Sequence, residues 1–153
     1  MDVNNGYVIT SPIFLLVANQ ACNLCQKMNP VMSLATLSLS DPSDENFASE
    51  MQNEGILLGY IETLPEALLT QILELHPNYR LEHSLTASAD YYMSVCKCGG
   101  HYGDHYVHKQ IRTMAFLEPN NLRIEKILTN ETCVIPCDFT SSGSVADLLR
   151  SQQ

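Results

Sequence analysis

Cys96-Lys97-Cys98-Gly99-Gly100-His101-Tyr102-Gly103-Asp104-His105 decides how this chain is read, together with Cys22-Asn23-Leu24-Cys25 far upstream. Two closely spaced cysteine pairs supply the four thiolates of a tetrahedral site. Each short pair takes two corners while the backbone turns over the metal. Gly99-Gly100 adds the permissive backbone that such a turn needs. Cys22, Cys25, Cys96 and Cys98 are therefore expected to hold one structural Zn²⁺, with each pair at the tip of a hairpin.

Other readings of the same residues stand beside this one. A thioredoxin-type redox pair at Cys22 and Cys25 would put the second cysteine in a helix, and Asn29-Pro30 followed by a β-like run opposes that. Six cysteines in an oxidising compartment would read as three disulfides. His101 is the alternative fourth ligand in place of Cys98, while His101, Asp104 and His105 are the candidates for a hydrolytic zinc, which keeps an open position. Cys133 and Cys137 lie in no recognisable catalytic signature and read as buried structural thiols. Tyr91, Tyr92, Tyr102 and Tyr106 flank the metal region either as core packing or as a contact surface.

The compartment bears on that choice. The first residues carry an acid where a secretory signal carries bases, and the longest apolar run, Ile13 to Ala18, is too short to span a bilayer. A cytoplasmic chain is expected, in which reducing conditions favour metal over disulfides. With 153 residues, 45% of them hydrophobic, a single zinc-stabilised domain over 1–153 is expected.

Along the chain, Tyr7 to Ile9 and Ile13 to Ala18 read as one broken strand or two short ones around Pro12, and Val31 to Leu39 reads as the returning strand of the first hairpin. Ser40 to Asn53 is polar and acidic and reads as a loop, with a helical turn near Phe47 to Met51. Leu64, Leu68, Leu69, Ile72 and Leu75 recur at helical spacing behind Thr63 and Pro65, so the main amphipathic helix is placed there, capped by Thr63 and ended by His76-Pro77. The alternation of His105, Val107, Lys109 and Ile111 suggests a strand leaving the second cysteine pair. Strands are expected within residues 122–128 and 132–135, and a terminal helix over 144–150 capped by Ser142 or Ser144. The fold class is α+β, an antiparallel sheet with zinc-knuckle hairpins and one main helix packed on it.

The net charge of −9 is concentrated in residues 41–90, which hold ten acids and only Arg80 as a base. That disfavours a nucleic-acid partner, which needs clustered Lys and Arg, and suits a basic protein partner. Glu62, Glu66 and Glu74 are the candidate contact residues.

The order of strand, Cys22-x-x-Cys25, hydrophobic strand, acidic middle, second cysteine pair and Gly103-Asp104 resembles small bacterial zinc-binding proteins of unassigned role, over residues 13 to 112. Those proteins carry a tryptophan inside the first pair and two residues inside the second, where this chain has Asn23-Leu24 and Lys97 alone. The resemblance implies a zinc-held fold, with Asp104 ordering the knuckle, and no activity. Taken with size and charge, it suggests an acidic binding module such as the immunity partner of a toxin; the alternative is the zinc hydrolase built on the histidines near Asp104.

Overall fold

The computed structural model describes residues 6–9, 12–41, 54–127 and 132–152. The anticipated helical turn near Phe47 to Met51, and Asp44, Glu45 and Glu50 of the acidic segment, lie outside them.

At the centre is an antiparallel hairpin, β2 (Ile13–Ala21) and β3 (Met28–Thr36), in continuous register from Ile13↔Thr36 to Ala21↔Met28. It sits inside a five-stranded antiparallel sheet with β4 (Ile56–Gly59), β8 (Arg123–Ile127) and β10 (Asp138–Ser141), in the order β10-β4-β3-β2-β8. Every residue from Ile13 to Ala18 and from Val31 to Thr36 is buried, because both faces of this sheet are covered. On one face Leu15, Met32, Leu34 and Leu58 pack with Leu68 and Ile72 of helix α1 (Glu66–Leu75). On the other Phe14, Leu16, Ala35 and Leu57 pack with Val107, Ile111 and Ala115 of α2 (Asp104–Leu117) and with Val145 and Leu149 of α3 (Gly143–Arg150). A strand sandwiched in this way reads as a continuous apolar run, as Ile13 to Ala18 does.

The broken amino-terminal run resolves into two strands in different sheets: β1 (Gly6–Ile9) pairs with β9 (Cys133–Pro136). A third sheet, β5 (Tyr79–Ser84), β6 (Ala89–Val95) and β7 (His101–Tyr102), carries the second cysteine turn between its last two strands. The architecture is thus α+β with antiparallel sheets and three helices among the described residues.

Three sequence expectations need correction. Residues 105–112 form part of a helix, not a strand. Val107 and Ile111 are four apart and so satisfy a two-residue and a helical repeat alike. His108 and Ala115 complete the buried helical stripe, whereas the alternating set required His105 and Lys109, which are exposed. The helix at Glu66–Leu75 is consequently one of several, and α2 is longer, at 14 residues against 10. Its amino-terminal cap is Pro65 with no side-chain hydrogen bond, so Thr63 does not cap it. The terminal helix does begin as expected, the Ser142 Oγ accepting from the Val145 N–H at 3.3 Å.

Candidate metal centre

The two cysteine turns are brought together by the hairpins that carry them. In the first, the Cys22 N–H donates to the Lys27 carbonyl at 2.9 Å and the Gln26 N–H returns to the Cys22 carbonyl at 2.8 Å, closing the end of β2 onto β3. In the second, the Cys96 N–H donates to the Gly100 carbonyl at 2.8 Å and the Gly99 N–H to the Cys96 carbonyl at 2.9 Å. Gly99 has φ +96°, a conformation that favours glycine. Cross-ties then dock one turn against the other. The Asn29 amide donates to the Tyr102 hydroxyl at 2.8 Å and to Cys96 Sγ at 3.3 Å, while the Tyr102 hydroxyl donates to the Gln20 carbonyl at 3.3 Å.

As a result the sulfurs of Cys22, Cys25, Cys96 and Cys98 all lie within 4.8 Å of one another, with Cys22–Cys98 and Cys25–Cys96 each at 3.5 Å. A metal–sulfur bond of about 2.3 Å in a regular tetrahedron separates the sulfurs by about 3.8 Å, so this cluster can hold a metal ion with little adjustment. Cys22 and Cys96 are buried, Cys25 is half-buried and Cys98 is exposed. Gly100 completes the cradle: a Cβ there would stand 2.6 Å from Cys22 Sγ and 3.5 Å from Cys98 Sγ, in the volume the sulfurs occupy.

The thiols are electrostatically divided. Backbone N–H groups of Cys25 and Leu24 hold Cys22 below its ordinary value, and the Cys98 N–H draws Cys96 down to about 6. Cys98 receives the Gly100 N–H, which lowers it, but its hydrogen bonds with Cys22 and Cys96 push it up to about 12. Four sulfurs this close cannot all carry negative charge unless a cation sits among them, and the knuckle N–H groups are already aimed at the thiolate form.

The histidines take no part in the cluster. His101 Nε2 meets Glu82 Oε1 at 3.1 Å, and Cys98, not His101, completes the group of four that could hold a metal ion. Asp104 is buried at the start of α2, where its Oδ2 accepts the Tyr60 N–H at 2.7 Å; His105 is exposed and lies edge-on to Tyr106. His101, Asp104 and His105 therefore face three different neighbours, and the four cysteines are the one metal-ligand group found among the described residues. His108 is turned inward, its Nε2 3.1 Å from Ser33 Oγ. Burial first, and then Arg112, holds its imidazole down to about 4. Burial raises the Asp104 carboxyl to about 7 against the lowering effect of the Tyr60 N–H.

Cys133 and Cys137 sit in the core of the first sheet face, and burial together with Asp138 pushes the Cys137 thiol up to about 12, which suits an inert side chain. Of the tyrosines, Tyr102 is buried against the cysteine cluster, Tyr91 is buried edge-on to Tyr60, Tyr92 stacks on Tyr79 and Tyr106 is exposed. Glu62, Glu66 and Glu74 are exposed, the latter two on α1. Sequence reading missed Asn29 as part of the centre, and it named Gly100 for its backbone freedom, not for the room its missing Cβ leaves to the sulfurs. Asn29 precedes a proline and reads as a turn former, and only the fold shows that its amide reaches the second turn. No helix among the described residues is long and apolar enough to cross a membrane. The chain matches no known protein family, no curated protein and no solved structure.

Proposed function

We propose that the protein is a zinc-stabilised binding module: Cys22, Cys25, Cys96 and Cys98 hold one Zn²⁺ as thiolates, and the protein acts by engaging a protein partner. The observation that carries this reading is the convergence of four sulfurs from two turns, all within 4.8 Å. Zn²⁺ fits an all-thiolate tetrahedral set, and four protein ligands leave no position for substrate, which is the mark of a structural site. A reducing compartment such as the cytoplasm would keep the thiols available. The rival hydrolase reading needs His101, Asp104 and His105 on one centre, and their different partners argue against it. Acidic surface at Glu62, Glu66 and Glu74 supports a basic partner. Immunity to a toxin is the narrower form of this reading and rests on size, charge and the resemblance to small bacterial zinc-binding proteins.

Metal analysis of protein purified without added zinc tests the centre. About one equivalent is expected for a single four-ligand site, with the absorption of thiolate-bound tetrahedral Co²⁺ after exchange. Absence of metal, or an equivalent retained by the double variant Cys22→Ser with Cys25→Ser, would refute it.

A further inference from the structure

A cavity of about 660 Å³ lies beside the cysteine turns and is walled by five separate segments: the first turn at Leu24, the second at Gly99 to His101, Tyr60 after β4, the β5–β6 hairpin from His83 to Tyr91, and the start of α2 at Tyr106. Two further hollows share parts of its wall. One of about 410 Å³ shares Tyr60 and Tyr91 with it and also contains Glu62, Asp90 and Asp138. Another, of about 190 Å³, shares Asn23 and His101 and contains Gln20.

From this trench we infer the docking site and the chemistry of its occupant: an extended segment of a partner protein that places apolar side chains in the central cavity and a Lys or Arg at the Glu62–Asp138 end. The inference rests on the reading that this protein works by binding another.

Two observations select that occupant. First, none of the described residues lining the three cavities is Lys or Arg, which disfavours a phosphate-bearing ligand, while Glu62 and Asp138 are exposed and make no ion pair among the described residues. A cation entering there also meets the ring of Tyr60. Second, the central rim exposes Leu24 at 70%, Leu85 at 87% and Tyr106 at 66% of their surface, an amount of open apolar area that suits side chains of a partner.

The ridge between the acidic and central cavities is fixed before any ligand arrives. Tyr60 has φ +51°, unusual for a residue with a side chain. It is held there by its N–H on Asp104 Oδ2 and by its ring, 4.8 Å from that of Tyr91. A wall already locked in place lowers the ordering cost of binding.

The test is selection of displayed random dodecapeptides on the intact metal-bound protein, followed by titration of the enriched peptides. Enrichment of sequences with a basic residue next to apolar ones is expected. Their affinity should fall at least about tenfold in Leu24→Asp with Tyr106→Asp, and by a similar factor in Glu62→Lys with Asp138→Lys, the latter pair also losing the salt dependence. The charge variant lies away from the cysteine turns, so it remains informative if the apolar variant fails to fold. Peptides that bind both variants within twofold of wild type overturn the trench while leaving the binding reading intact. Enrichment of acidic sequences, or of none, overturns it as well. Metal content measured on the same samples decides the zinc centre separately.

Discussion

The two cysteine turns contribute equally to the four-sulfur cluster and are built very differently. The first closes a ladder of nine residue pairs at the heart of a sheet covered on both faces. The second closes a ladder of two pairs, Ser94↔Tyr102 and Val95↔His101, after which the chain passes directly into α2. One half-site is shaped by backbone pairing that extends well beyond it. The other depends on the Asn29 and Tyr102 cross-ties and on whatever the four sulfurs hold. Equal numbers of ligands therefore conceal unequal needs: metal should matter little to the shape of the first turn and a great deal to the second.

The largest effect expected from that asymmetry follows metal loss. Cys22→Ser with Cys25→Ser should cost on the order of 5 kcal/mol of stability, since binding free energy at a structural zinc site is folding free energy. Thermal melting measures the loss, and amide exchange locates it. Protection should disappear over residues 94–104 while β2 and β3 keep theirs, and uniform loss along both hairpins would remove the basis of the comparison.

Acid should strike the same side of the molecule. His76 is buried with its Nε2 3.0 Å from Ser94 Oγ, at the root of the second hairpin, and His108 sits on the helix that follows it. Burial first, and then Arg123, holds His76 down to about 4, the value also reached by His108. The unfolded imidazoles take up protons below about 6.5 and the folded ones only near 4, so this stability is complete above 6.5 and is lost as pH falls towards 4. Each contributes at most about 3 kcal/mol. Urea unfolding between pH 7 and 4.5 should show the decline, and His76→Gln with His108→Gln should flatten it.

Gly100→Ala tests the cradle directly. The added methyl group would meet Cys22 Sγ at 2.6 Å, and metal affinity in a chelator competition should drop about 10- to 100-fold with the hairpin strands unchanged. An affinity within threefold of wild type would show that the second turn adapts more freely than its geometry suggests. The smallest effect is at Asp104. Its folded value, about 7, lies above the unfolded one, so its contribution is complete below about 3.8 and is lost as pH rises through 7. Asp104→Asn should therefore leave stability little changed at pH 4 and raise it at pH 8, as urea unfolding at the two values would show.

Much of the site was legible in the sequence because chelation imposes local spacing: Cys22-x-x-Cys25 and Cys96-x-Cys98 could be paired without knowing any strand. The central hairpin was legible too, since its apolar runs flank the first turn. What escaped depends on distant neighbours. The partner of β1 is β9, separated from it by most of the chain, and β10 is a four-residue strand with little apolar content. His101 looked like a ligand by proximity in sequence, but a strand directs alternate side chains to opposite faces, and this one faces Glu82. The 105–112 segment misled because Val107 and Ile111 fit two periodicities at once.

Cys25 and Cys96, whose sulfurs lie 3.5 Å apart in the finished fold, are separated by 71 residues of chain. At ribosomal rates of about 5 to 20 residues per second, the first thiol pair waits about 4 to 14 seconds for its counterpart to be made. During that interval the nascent protein carries one thiol pair without the other, open to stray metal, to oxidants and to the thiols of neighbouring chains.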